Sequence, residues 1–196
     1  MNFLGGLRSN DVAAIYNFDS KVSLIQDFSN SRDMAESFFN LKANGMTVLN
    51  DAIYHAAGEL AKRPEKRRVI IVLSDGEDTK STRSADKALK AALAANALIY
   101  TIDMSAPDTS AKQKMLSKGA LKNFAEKTGG TFVPTPGGLG LREAFKNIVG
   151  ELSVQYTLGF QPANLKNDGK WRALELRVAR ANLVIRTRKG YNAPKN

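Results

Sequence analysis

Ser74-Asp75-Gly76-Glu77-Asp78-Thr79 places five oxygen-bearing side chains in six residues. Carboxylates and hydroxyls are hard donors, suited to magnesium, calcium or manganese. Asp75 is the leading candidate, because it lies in the turn that ends an apolar run reading as a strand, and ligands collect where the strands of an open parallel sheet end. Glu77 and Asp78 read as a solvated acidic loop, with water-mediated metal contact as the alternative. Asp103 follows a second apolar run; it could line the same site, and loop solvation is the expected role. Thr47 precedes a helical pattern, a frequent place for a capping hydroxyl.

Other residues that could do chemistry have simpler readings. His55 is the single histidine and lies among helical apolar positions. Without a second histidine or a cysteine beside it, a structural role is expected rather than a zinc site. The chain has no cysteine, which excludes disulfides, thiolate metal sites and a thiol nucleophile. Gly137-Gly138-Leu139-Gly140 before a helix suggests phosphate binding, but neither a Walker-type Lys-Ser/Thr nor a full dinucleotide fingerprint accompanies it, so a flexible loop is the better reading. Trp171 beside Arg172 could stack a base; an aromatic covering a β-sheet core is the expected role.

The elements that must position these residues follow from apolar spacing. Val69 to Leu73 are consecutive and mostly β-branched, the pattern of a strand buried on both faces in the middle of a parallel sheet. Met1 to Ser9 reads as the end of a helix. Val12–Phe18 and Val22–Phe28 read as a hairpin turned by Asp19-Ser20. Helices are expected from Ser31 to about Leu41, Val48 to Lys62, Ser84 to Asn96, Ala111 to Lys127 (stopped by Gly129-Gly130) and Leu141 to Ser153. Further strands are expected at Leu98–Ile102 and Thr131–Val133. This alternation of strand and helix argues for a Rossmann-like α/β fold, an open and mostly parallel sheet flanked by helices. Beyond Tyr156 the period becomes two. Tyr156–Phe160, Ala173–Val178 and Leu183–Arg188 read as an antiparallel β appendage. The expected domains are 1–154 and a basic extension, 155–196.

Length and composition suit one globular core: 196 residues, 43% hydrophobic and 24% charged. No apolar run approaches the length of a membrane span. The N-terminus lacks the basic leader and apolar core of a signal peptide. The net charge of +10 is unevenly placed. Residues 161–196 hold nine Lys/Arg and two acids, so they carry +7 of it. Such a face could bind nucleic acid, anionic polymers or lipid head groups, although a solvated sheet face is the expected role.

Several segments together resemble a von Willebrand factor A domain: the hairpin Asp11–Phe28, Gly45-Met46-Thr47 followed by Leu49-Asn50-Asp51-Ala52-Ile53, the strand and turn Val69–Thr79, and Leu98–Ile102. The tail Tyr156-Thr-Leu-Gly-Phe, ending in Arg188-Lys-Gly-Tyr, looks like the VWFA-related proteins of Acidobacteria. The resemblance implies a metal-ion-dependent adhesion site built from an Asp-x-Ser-x-Ser turn after a first strand, a later Thr and a later Asp. Thr47 and Asp75 match the last two. The pattern of the first occurs once, as Asp27-Phe28-Ser29-Asn30-Ser31, but at the end of the second hairpin run and not after a first strand. By the same resemblance, the first strand would precede the segment ending at Leu7 and lie beside Val69–Leu73. An N-terminally truncated form, or a start placed too late, is therefore expected, and the DNA upstream of Met1 would test it.

The resemblance implies a non-enzymatic module that binds an acidic group of a protein ligand. The cation would be Mg2+ or another divalent ion in a complete domain, with weak or absent binding in this chain. Export to the periplasm or cell exterior is implied if a leader precedes the chain. A metal-assisted hydrolase would need a second metal, a base or a nucleophile beyond Asp75. The remaining alternative is polyanion or nucleic-acid binding by the basic extension, which would be steeply salt-dependent.

Overall fold

A computed structural model of the chain describes residues 4–33, 45–106, 110–134, 137–180 and 182–195. The expected helix from Ser31 to Leu41 falls mostly outside these residues. The N-terminal segment is a short 3-10 turn, Leu4–Gly6, rather than the end of an α-helix. Strands β1 (Ala13–Phe18) and β2 (Val22–Ser29) form the antiparallel hairpin, with Phe18 opposite Val22. Helix α1 (Leu49–Ala61), strand β3 (Arg68–Ser74), helix α2 (Ala85–Ala94) and strand β4 (Ala97–Asp103) follow. Helix α3 (Ala111–Thr128), strand β5 (Phe132–Val133) and helix α4 (Gly137–Ser153) complete the α/β part.

The parallel sheet has the order β3-β4-β5, in register from Arg68–Ala97 to Ser74–Asp103. One correction concerns its centre. Strand β4, not β3, is the strand buried on both faces. Ala97 and Ile99 join one apolar cluster with Leu49, Ile53, Ile70, Val72, Leu89 and Phe124. Tyr100 and Ile102 point into the opposite cluster with Ala144 and Ile148 of α4. Strand β3 pairs only with β4 among the described strands, and its Leu73 is 38% exposed. A β-branched run shows that a strand can be buried; the neighbours on its two sides decide whether it is.

Helix ends explain the joints. Ser84 caps α2 by accepting the Lys87 amide. Arg68 opens β3 and donates to the carbonyls of Arg63, Glu65 and Ala95, tying the α1–β3 loop to the end of α2. Residues 137–140 form the first turn of α4, so the expected Pro/Gly loop over this stretch is replaced by helix.

The C-terminal extension differs from expectation in extent. Its antiparallel strands are β6 (Trp171–Ala173) and β7 (Gly190–Asn192), extended by a bridge between Asp168 and Lys195. Tyr156–Phe160 and Leu183–Arg188 are not strands, and of Ala173–Val178 only Ala173 is in one. Alternation makes a segment amphipathic, but a strand also needs a ladder partner on its edge. Trp171 does not cover the core: it is 46% exposed and lies over Gly190, where a Cβ would be 2.5 Å from its ring.

Residues 186–189 strap the extension to the α/β part. Arg186 pairs with Glu151 of α4 at 2.5 Å, Arg188 donates to Asn96, and the Lys189 amide donates to the Lys127 carbonyl. Burial and the Glu151 carboxylate push the Tyr100 hydroxyl up to about 12, so Tyr100 stays neutral beneath this strap.

Candidate functional site

The end of β3 is shaped by its own side chains. The Ser74 hydroxyl accepts the Gly76 amide at 3.0 Å, and an Asp75 carboxylate oxygen accepts the Glu77 amide at 3.0 Å. Gly76 is left-handed, with φ of +86°, and a Cβ there would sit 2.4 Å from the Ser117 carbonyl oxygen. Only glycine lets the loop lie this close to α3.

The Thr47 loop is held against the same turn. The Thr47 amide donates to the Thr79 hydroxyl at 2.9 Å, and the Thr47 carbonyl accepts the amides of Thr79 and Lys80 at 3.0 and 3.1 Å. Thr47 does not cap α1. The capping position is Val48, and no side chain of its own serves there. Thr47 is half-buried, and its hydroxyl makes no hydrogen bond among the described residues.

The cap comes from the acidic turn instead. Asp78 accepts the Asn50 amide at 2.7 Å and the Ser81 amide at 2.9 Å, while the Asp51 amide donates to the Ser81 hydroxyl at 3.0 Å. The free amides of the first turn of α1 are thus satisfied from about thirty residues away, and the carboxylate lies at the positive end of the helix. Reading Asp78 as solvated loop missed this role, because a cap supplied by a distant loop leaves no local pattern.

Asp51 closes the circuit. Its carboxylate accepts the amides of Thr82 and Arg83, each at 2.9 Å, and the Arg83 guanidinium stacks over Tyr54 at 4.3 Å. Desolvation raises the Asp51 pKa, but the bonds from Thr82 and Arg83 outweigh it, and the group lies below its ordinary 3.8. A lowered folded-state pKa adds stability above the unfolded value and loses it as pH falls through the folded one. Asp51→Ala is therefore expected to cost about 2 kcal/mol at neutral pH. In urea titrations, the gap between variant and parent should close as the pH drops below 3.8. A gap independent of pH would refute this account.

Asp103 is the second correction. Its side chain is 0% exposed, not solvated. It ends β4 opposite Ser74, accepting the Ser105 amide at 2.9 Å and the Ser105 hydroxyl at 2.5 Å, with the Lys118 ammonium 3.8 Å away. Ser105 in turn reaches the Asp75 carbonyl at 3.5 Å. Asp103 braces the loop under Asp75 rather than facing solvent.

The arrangement forms a cleft of about 300 Å³ lined by Gly76, Glu77, Asp78, Thr79, Leu116 and Ser117. Asp75 is exposed beside it. Among the described residues, no three His, Cys, Asp or Glu side chains converge as a metal-holding group. A hard divalent cation takes six or more oxygens. One carboxylate and one hydroxyl fit such an ion only in part. His55 is on the flank of α1, where its ring meets Tyr16 of β1 edge-on at 5.3 Å. Trp171 and residues 137–140 belong to other elements and line no part of the cleft.

The sequence of residues 7–133 matches the model of the von Willebrand factor type A domain. No curated protein matches the chain. Among solved structures, the chain is similar to an aerotolerance-related membrane protein from Bacteroides fragilis carrying multiple mutations to serine. The identity is 14% and the TM-score 0.58, over 76% of this chain and 83% of that one. It is also similar to a von Willebrand factor type A protein from Catenulispora acidiphila. Here the identity is 19% and the TM-score 0.59, over 75% of this chain and 35% of that longer one. These likenesses agree with the sheet and helices described above. With the family model covering well over half of its length, the chain belongs to the von Willebrand factor type A domain family.

Proposed function

We propose that this chain is a non-enzymatic protein-binding module whose recognition surface is the end of the sheet carrying Thr47 and Asp75. The observation that supports this best is the clamp between the Thr47 loop and the Asp75–Thr79 turn. It holds the loop that carries Thr47 against the turn that begins at Asp75, through backbone bonds to Thr79 and Lys80. The Thr47 hydroxyl and the Asp75 carboxylate are a neutral and a singly charged donor, so a cation held there keeps most of its charge. It would then attract an acidic group of a protein ligand. Because the donor set is partial, Mg2+ or Mn2+ binds weakly.

Calorimetry with either ion is expected to give little heat, with dissociation in roughly the millimolar range found for weak oxygen sites. At high Mn2+, paramagnetic broadening should begin at the amides of Thr47, Asp75 and Gly76 and disappear in Asp75→Ala. Tight one-to-one binding would refute the incomplete site. Broadening that starts elsewhere would remove the site from this rim. Domains of this family are generally interaction modules, whereas metal-assisted hydrolysis would need a second metal, a base or a nucleophile acting together with Asp75.

A further inference from the structure

The extension beyond α4 combines two features that are costly together in water. The first is exposed apolar surface. Tyr156 is 86% exposed and Val184 89%, and Leu158, Phe160, Trp171 and Val178 are each at least 46% exposed. Tyr156, Leu158 and Phe160 alternate along one non-helical stretch, and the Phe160 ring anchors it to β7 through an edge contact with Tyr191 at 5.8 Å. Exposed apolar groups gathered on one part of a chain mark a surface that is covered in use.

The second feature is charge of one sign. Residues 161–196 carry a net +7. Part of it is used internally: Arg172 with Asp168, Arg177 with Glu175, Arg186 with Glu151, and Arg188 on Asn96. Lys166, Lys170, Arg180, Lys189 and Lys195 are exposed and form no ion pair among the described residues.

We propose that the 156–189 segment docks on the surface of an anionic lipid bilayer. Tyr156, Leu158, Phe160 and Val184 enter the head-group boundary, and the unpaired lysines and Arg180 bind lipid phosphates. The combination selects this partner. Interfacial binding grows with buried apolar area plus attraction to anionic lipid. Tyrosine and tryptophan, apolar with a polar tip, suit that boundary. A nucleic acid would satisfy the lysines but offers its phosphate backbone nothing to cover Leu158 or Val184. No helix among the described residues is long and apolar enough to cross a membrane, so the docking is peripheral.

Trp171 is the only tryptophan and lies half-exposed in this segment, so it reports the event. The full chain is mixed with vesicles of phosphatidylcholine alone, or of phosphatidylcholine with phosphatidylglycerol. Expected is co-sedimentation with the anionic vesicles only, a blue shift of Trp171 emission, and weakening by salt. The variant L158S/F160S/V184S should lose roughly tenfold or more in vesicle affinity. K166E/K170E/K189E should do the same by the other route. Both sets alter exposed side chains, and unchanged thermal melting checks that the fold survives. Binding to duplex DNA or heparin without vesicle binding would overturn the proposal. So would vesicle binding indifferent to the apolar variant, or no vesicle binding at all.

Discussion

Alanine at position 130 is expected to destabilise the protein by about 3 kcal/mol or more, a magnitude reached when a new group meets backbone that cannot move aside. For a chain of this size that is a fall of roughly 6–12 °C in the melting midpoint. Gly129-Gly130 reads from sequence as a helix stop, and Gly129 serves as one, with φ of +89° and its amide on the Ala125 carbonyl. Gly130 is needed for space. A Cβ there would lie 2.0 Å from the Ile99 carbonyl oxygen and 2.7 Å from its carbon. Ile99 is in the central strand and fully buried, so the clash can be relieved only by moving β4 or the α3–β5 connection. Gly58→Ala is the internal control. It is exposed in α1 with nothing within 4 Å of its Cβ position, and should gain up to about 1 kcal/mol from helix propensity. Urea titration of the two variants checks both signs, and a Gly130→Ala protein as stable as its parent would refute the packing described at β4.

Asp103→Ala is expected to cost about 3 kcal/mol, the scale found when a buried carboxylate is removed and the donors bonded to it are left unsatisfied. The variant strands the Ser105 amide and hydroxyl and leaves Lys118 without this carboxylate. Asp103→Asn keeps an acceptor and should lose less. The two variants also separate stability from site geometry. Ser105 links Asp103 to the Asp75 carbonyl, so amide chemical shifts at Asp75 and Gly76 should move in Asp103→Ala even well below its melting range. If Asp103→Ala melts within about 1 kcal/mol of the parent, the carboxylate is not the brace described here.

Much of the α/β order was legible because it rests on local patterns. The apolar spacing of Leu49, Ala52, Ile53 and Ala57 is the buried stripe of α1. The Ser84 cap and the Gly129 stop lie within a turn of the helices they bound. Val69–Leu73 and Leu98–Ile102 are strands, as their β-branched runs require. Apolar pattern alone did not give their order in the sheet, since two such runs look alike until pairing makes one central and the other an edge; the family resemblance, with its missing strand beside Val69–Leu73, did imply the open edge that β3 shows among the described strands. The extension shows the opposite failure. Its alternation is plain, yet most of it is not strand, because period two states which side chains share a face and not whether a neighbour supplies the hydrogen bonds.

The candidate rim divides the same way. Residue type alone marked Ser74–Thr79 as an oxygen-rich turn, and its place after an apolar run put it at a strand end. That Thr79 clamps Thr47, that Asp78 caps α1 and that Asp103 is buried beneath Asp75 rest on contacts across about thirty residues. A single sequence fixes charge, hydropathy period and local capping, since these depend on neighbours along the chain. Which carboxylate faces solvent, which caps a helix and which braces a loop depends on neighbours in space, and only the tertiary structure assigns those.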